Sequence, residues 1–289
     1  LLATGSRAAG LPVPGAELPH VRTLRSLADC RLLLEAVEGA RDVVVVGAGF
    51  IGMEAAAALR ERELGVTVVA PDVVPFERAL GAELGRRVQR LQEDHGVGLR
   101  LGRTLSAIEP GRVVLDDGSP LRADVVLVAV GARPETELAE RRGIRVDDGI
   151  VVDGGMATSV DGIWAAGDIA RFPHPRTGEP IRVEHWVVAL HQGEVAARGM
   201  LGLPARYDAP PFFWTQLYDV SVTYSGHAGA WDEIGVDGDL ERGEALIRYL
   251  RAGETMAVAA VGRELASLEA EAELQRRWGH RPAGGEGTR

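Results

Sequence analysis

The sequence has no lysine, no asparagine, a single cysteine and few aromatic residues (5% of 289 positions). Lysine and asparagine are both read from codons that start AA, so their joint absence reflects GC-rich coding. The use of arginine at all 32 basic positions therefore says little about chemistry. One cysteine, Cys30, excludes a disulfide framework and any Cys-x-x-Cys motif within these residues. It lies in SLADCRLLLEAVEG, where apolar residues recur at helical spacing, and is expected to be a buried, inert thiol. No apolar run approaches the roughly 20 residues that cross a bilayer. The formal net charge of −10 argues against the basic surface that nucleic acid requires. His174, His185, His191 and His227 lie apart with no cysteine partners, so no metal-ligand spacing is present. These absences point to a soluble, cytoplasmic chain of about two domains, with neither a membrane nor nucleic acid as partner.

What is present alternates strand and helix. From Arg41 to about Pro134 the pattern reads as an α/β unit on a largely parallel sheet: DVVVVGAGFIGMEAAAALRERELGVTVVAPD, a helix near Leu84 to Asp94, the strand VGLRLG, and a hairpin with turn residues at Asp116 to Gly118. Residues 135–208 add IWAAGDIA, read as a strand, and a helix EHWVVALHQGEVAARGMLG. After Pro210-Pro211 come three or four strands, among them DVSVTYSG and GEALIRYLRAG, then a helix GRELASLEAEAELQRRW and a tail, GHRPAGGEGTR, expected to be disordered.

The strongest local signal is VVVVGAGFIG. Four valines form a buried strand, and Gly47, Gly49 and Gly52 fall on the G-x-G-x-x-G spacing, with Phe50 and Ile51 between them, at the start of an alanine-rich helix. Gly47 permits the tight turn, Gly49 lets a pyrophosphate approach the backbone, and Gly52 lets helix and strand pack closely. The phosphates would rest on the helix N-terminus. The acid that usually ends the second strand and takes the ribose of NAD is replaced by Ala70, and the nearest acid is Asp72. Asp72 then reaches back to the ribose, or Arg78 meets a 2′-phosphate, or Asp72 merely belongs to the turn; NADH is favoured. Further on, Gly167-Asp168 holds a carboxylate at the edge of IWAAGDIA, where it could accept hydrogen bonds from a polyol or cap a helix.

Taken together, LLATGSR, GAGFIGMEAA, VAVGARP, IWAAGDIA, RVEHWVVALHQGEVAARGMLG and PFFWTQLYD, in this order, resemble the FAD-dependent pyridine nucleotide-disulfide oxidoreductases, and within them the ferredoxin reductase and apoptosis-inducing-factor-like branch. The resemblance implies a Rossmann-like NAD(P)H domain (9–134) inserted in an FAD domain (1–8 and 135–208), an α+β interface domain (209–279) and a tail (280–289). By the same resemblance Asp168, preceded by Gly167, holds the flavin ribitol, and Thr4, Gly5 and Gly131 line the points where the chain passes between these domains. Glu54 stands near nicotinamide and flavin as the catalytic-site acid, and Trp186 and Trp214 stand near the isoalloxazine, although each could equally be a core aromatic. Thr215 and Leu217 depart from the family pattern after the tryptophan. The family's first glycine fingerprint is expected upstream of Leu1, so the 289 residues by themselves are expected to hold flavin poorly and still bind a pyridine nucleotide.

The activity so implied is transfer of hydride from NAD(P)H to FAD and of single electrons onward to a ferredoxin or a Rieske-type iron-sulfur protein. Homodimerisation is compatible with it. The alternatives are a thiol-dependent flavoprotein, of disulfide reductase or NADH oxidase type, with its redox cysteine upstream, and a non-catalytic NADH-responsive interaction protein.

Overall fold

The computed structural model describes residues 1–278; the expected tail lies outside them. The chain divides into two units. One, here the nucleotide unit, comprises Arg7–Arg133 together with Thr215–Ser221; the other comprises Leu1–Ser6, Pro134–Trp214 and the chain from Val222.

The nucleotide unit is built on a five-stranded sheet in the order 21–23, 125–128, 42–46, 65–70, 98–101. Every adjacent pair in it is parallel. Val43–Val46 are buried because a central parallel strand is covered on both faces, which is why the sequence shows an unbroken apolar run there. Val44, Val46, Val69, Val126 and Val128 share one core with Ile108, Val113 and Leu115 of a three-stranded antiparallel sheet (105–109, 112–115, 120–122). Helix Leu27–Val37 begins at a capping box, in which Ser26 Oγ accepts from the Asp29 amide and the Asp29 carboxylate accepts from the Ser26 amide. Those bonds hold the Asp29 carboxyl below the usual carboxylate range. Cys30 lies on this helix and is half-buried, not buried as expected, because its apolar stripe covers only part of the helix face. Helix Glu77–Asp94 starts earlier than the sequence pattern suggests and breaks its geometry at Gly81.

In the second unit a small sheet pairs 150–151 in parallel with 170–173, and 170–173 antiparallel with 180–181. Phe172, Ile150, Ile169, Met156, Val188 and Tyr207 form its core. The expected strand IWAAGDIA is not one strand. Trp164 and Ala165 make only isolated bridges, Gly167 turns the chain at φ 83°, and the strand proper starts at Ala170. Asp168 therefore lies in a turn followed by a strand, which rules out the helix-cap alternative. The helix Trp186–Met200 follows. The C-terminal sheet has five strands where three or four were expected, in the order 212–217, 220–226, 254–261, 244–251, 233–239. Helix Glu264–Trp278 packs on it through Ala270, Leu274 and Trp278 against Leu246, Val258 and Ala260. Among the described residues no helix is long and apolar enough to cross a membrane.

Candidate functional site

In the nucleotide unit the chain runs from strand 42–46 outward to 65–70 and 98–101, then returns to lay 125–128 on the opposite side of 42–46. The connections leaving 42–46 and 125–128 therefore diverge and open a crevice at the strand ends, the place where such sheets bind ligands. The three glycines sit there, with different surroundings. A Cβ on Gly47, whose φ is 113°, would lie 2.3 Å from the Ala129 carbonyl oxygen, and a Cβ on Gly52 would lie 2.0 Å from that of Gly47. The protein's own backbone excludes side chains at both. Gly49 is different: its φ of −81° suits any residue, and nothing lies within 4 Å of where its Cβ would be. It is also the N-cap of helix Phe50–Glu61, a position where serine, aspartate or threonine would supply a hydrogen bond that Gly49 does not. Open space kept clear at an uncapped helix N-terminus matches the approach of a pyrophosphate, so these residues fit a dinucleotide.

The surroundings complete this half of the site. Phe50 stacks on Phe76 (centroids 4.7 Å apart), and the Phe76 amide donates to the Ala48 carbonyl at 3.1 Å. Ile51 is 42% exposed. Gly131, φ 108°, has open space at its Cβ and accepts from the Ala9 amide. Ala70 is buried at the end of its strand, and the carbonyls of Ala70 and Asp72 accept from the Arg103 and Gly102 amides. The Asp72 carboxylate faces the exposed Arg78 guanidinium at 3.5 Å, so the two residues read as alternatives in the sequence form one ion pair. Glu54 is exposed on the fingerprint helix and lines a cavity of about 260 Å³ with Leu24, Arg25, Ser26, Ile51 and Ala55. Its Oε1 accepts from Thr215 Oγ1 at 2.5 Å.

Three residues here escaped the sequence reading. Gln92 is fully buried, donates from Nε2 to the Met53 carbonyl at 2.9 Å, and accepts from the Tyr218 hydroxyl at 3.0 Å. The Tyr218 ring lies on His95 with centroids 3.6 Å apart, and burial pushes the Tyr218 hydroxyl up to about 12. The legible signal was Gln92 itself, a polar residue in register with Leu84 and Val88 on an apolar helix face.

The other unit carries the second cluster. Ser6 Oγ donates to Asp168 Oδ2 at 3.0 Å. The Gly167 amide donates to Gln192 Oε1 at 2.8 Å, which fixes the Gln192 amide and leaves its buried Nε2 without a protein partner. Thr4 Oγ1 donates to the Glu135 carbonyl at 2.8 Å, and the Glu135 amide donates to the Gly5 carbonyl at 2.9 Å. His185 caps helix Trp186–Met200 by accepting from the Val187 amide; burial lowers its affinity for a proton, and the Asp168 charge partly opposes that. Trp186 and Trp214 meet edge to face at 5.8 Å and are 61% and 40% exposed, so neither is a core aromatic. A half-buried carboxylate beside a hydroxyl and an orphaned buried amide donor suits a polyol such as the flavin ribitol. The histidines do not all lie apart: His174 and His227 face each other at 6.1 Å, though no group of three potential metal ligands occurs among the described residues.

The profile of the pyridine nucleotide-disulphide oxidoreductases matches residues 1–193. The chain belongs to this family. It is 36% identical over 269 residues to apoptosis-inducing factor 3 of Homo sapiens, covering 90% of this chain and 44% of that protein. It is 37% identical over 274 residues to the anthranilate 1,2-dioxygenase system ferredoxin–NAD(+) reductase component of Burkholderia cepacia, covering 92% and 67%. Among solved structures it superposes on the covalent putidaredoxin reductase–putidaredoxin complex with a TM-score of 0.91 at 30% identity, covering 95% of this chain and 68% of that one. The chain thus spans less than half the length of the human relative and about two thirds of the bacterial one.

Proposed function

We propose that this member of the pyridine nucleotide-disulphide oxidoreductases is an NADH-dependent, FAD-containing reductase that delivers electrons to a ferredoxin or Rieske-type iron-sulfur protein. The observation that carries the reading is Gly49, an uncapped helix N-terminus at the sheet's switch point with its Cβ space left open. The names of the bacterial relatives, ferredoxin–NAD(+) reductase components of dioxygenase systems, support the choice of acceptor.

Bound flavin supplies the exchange of a two-electron hydride for single electrons. The protein supplies position and surroundings. The turn from Gly47 to Gly52 and the amides that open helix Phe50–Glu61 hold the coenzyme's pyrophosphate, and Glu54 presents an acceptor to its nicotinamide end. Asp168 accepts from the ribitol hydroxyls, with Ser6 fixing its carboxylate. Trp186 and Trp214 give the flavin ring an apolar wall that keeps water away. No side chain is required to move a proton. With FAD bound, the protein is expected to oxidise NADH and reduce a [2Fe–2S] ferredoxin, read from the ferredoxin's visible bleaching; the 289 residues by themselves, expected to hold flavin poorly, serve for the nucleotide titrations and not for this assay. Oxidation of NADH that proceeds with a disulfide substrate and not with the ferredoxin would replace this function with the thiol-dependent one.

Coenzyme choice turns on the pair Asp72 and Arg78. An exposed ion pair is weak, so ribose hydroxyls can displace Arg78 from the carboxylate. Asp72→Ala is expected to remove a charge-assisted hydrogen bond of about 1.5–3 kcal/mol and to weaken NADH accordingly, in isothermal titration. Arg78→Ala should leave NADH unchanged. An Asp72→Ala variant that binds NADH as the parent does, or a parent that prefers NADPH, rejects this assignment.

A further inference from the structure

The segment Thr215–Ser221 belongs with the nucleotide unit, and its contacts there converge on one stretch of the fingerprint helix. Thr215 is 1% exposed and donates to Glu54 Oε1 at 2.5 Å. Three residues later, Tyr218 donates to Gln92, and Gln92 donates to the carbonyl of Met53, the residue before Glu54. The Tyr218 ring is pinned flat against His95. Glu54 is thereby held at its carboxylate by one chain of contacts and at the adjoining backbone by another.

An exposed glutamate on a helix ordinarily samples several rotamers, at a cost in entropy to any ligand that needs one of them. Thr215 removes that freedom. It is β-branched, so its χ1 is stiff, and it is buried, so its hydroxyl cannot turn to bulk water. A hydroxyl on a carboxylate at this distance is a short, charge-assisted bond. It occupies Oε1 and leaves Oε2 outside that bond, on a side chain that lines the cavity with Arg25, Ser26 and Ile51. A carboxylate is an acceptor only, so the ligand group it suits is a donor such as a primary amide.

We propose that Thr215 is a positioning residue, which orients the Glu54 carboxylate to accept from the carboxamide of the nicotinamide ring. The proposal rests on the reading that this cavity takes the nicotinamide end of NADH. It concerns the same position at which the sequence departs from the family pattern after Trp214.

The test is calorimetric titration of the 289-residue chain with NADH and, separately, with ADP-ribose, which shares the pyrophosphate and lacks the nicotinamide. Thr215→Val is expected to weaken NADH about tenfold, because the freed Glu54 carboxylate must then be ordered on binding, and to leave ADP-ribose unchanged. Thr215→Ser keeps the hydroxyl and should restore NADH binding. Glu54→Gln should weaken NADH as well, and adding Thr215→Val to it should cost little more. If Thr215→Val does not fold, Thr215→Ala, which adds no volume, carries the same expectation. Parallel loss of NADH and ADP-ribose in the Thr215 variants would show that the segment merely supports the fold and would overturn the proposal. Unchanged NADH affinity in Thr215→Val beside a weakened Glu54→Gln overturns it while sparing the proposed function. Unchanged affinity in Glu54→Gln overturns it together with the role given to Glu54, and leaves the pyrophosphate site at Gly49 to be judged by its own variant.

Discussion

Gly49→Val is expected to abolish pyridine-nucleotide binding while leaving the protein folded. The valine Cβ enters space that no protein atom occupies, at a φ that any residue adopts. Glycine there makes no capping bond, so the exchange should change stability by no more than about 1 kcal/mol. On the proposed reading the pyrophosphate occupies that same space to reach the helix amides. Displacing it forfeits charge-assisted hydrogen bonds of about 1.5–3 kcal/mol each, so two lost bonds weaken binding by at least about 100-fold. Gly52→Val supplies the contrast. Its Cβ would fall 2.0 Å from the Gly47 carbonyl oxygen, and the expected effect is on folding, with about 1–3 kcal/mol of stability lost or more. Calorimetric titration and thermal unfolding of the two variants separate these outcomes. Retained NADH binding in Gly49→Val would show that the clear space serves something other than the pyrophosphate.

The second large effect is on acid stability, and it comes from outside the nucleotide site. His174 is 3% exposed; its Nδ1 accepts from the Arg176 and Thr177 amides, so its proton is on Nε2, which donates to the His227 carbonyl at 3.1 Å. Burial, and then the neighbouring His174, depress His227 to about 4. His174 is lowered by burial too, although Glu179 and Glu254 oppose that; these two carboxylates are themselves paired with Arg251 and Arg176. Between pH about 6.5 and 4 the unfolded chain takes up a proton at His227 that the folded chain refuses. Stability is thus fully present above pH about 6.5 and declines as pH falls toward 4, by about 3 kcal/mol at the lower end. Carboxylates held low, such as Asp29, Asp124 and Glu179, lose their contribution only at lower pH. Thermal unfolding of the parent should therefore fall steeply between pH 7 and about 4.5, and that of His227→Gln should fall less steeply. Identical slopes would reject the assignment.

The parts of the site that were legible in the sequence are those whose demands are local. Val43–Val46 and Gly47, Gly49 and Gly52 announce themselves because a buried parallel strand and a tight turn constrain consecutive residues. IWAAGDIA has the apolar density of a strand, but Gly167 at positive φ turns the chain inside the run. The strand Glu233–Asp239 carries only a weak apolar signal, Ile234 and Val236 among glycines and acids, since it is the sheet edge, mostly exposed, and is held by pairing to 244–251. Thr215 stood out only as a departure from the family pattern, and neither its contact nor that of Tyr218 could be read. Their partners Glu54 and Gln92 lie 161 and 126 positions away, and no periodicity encodes a contact of that span.

The segment Thr215–Ser221 also limits how relatives of this chain can be recombined. A chimera that exchanges the C-terminal sheet with that of another member imports a foreign pair of residues at 215 and 218 into the nucleotide unit. The host keeps Glu54, Gln92 and His95, which were shaped to receive a threonine hydroxyl and a tyrosine. A crossover placed after residue 208 therefore splits a set of matched parts, and a compatible exchange has to carry these five positions together.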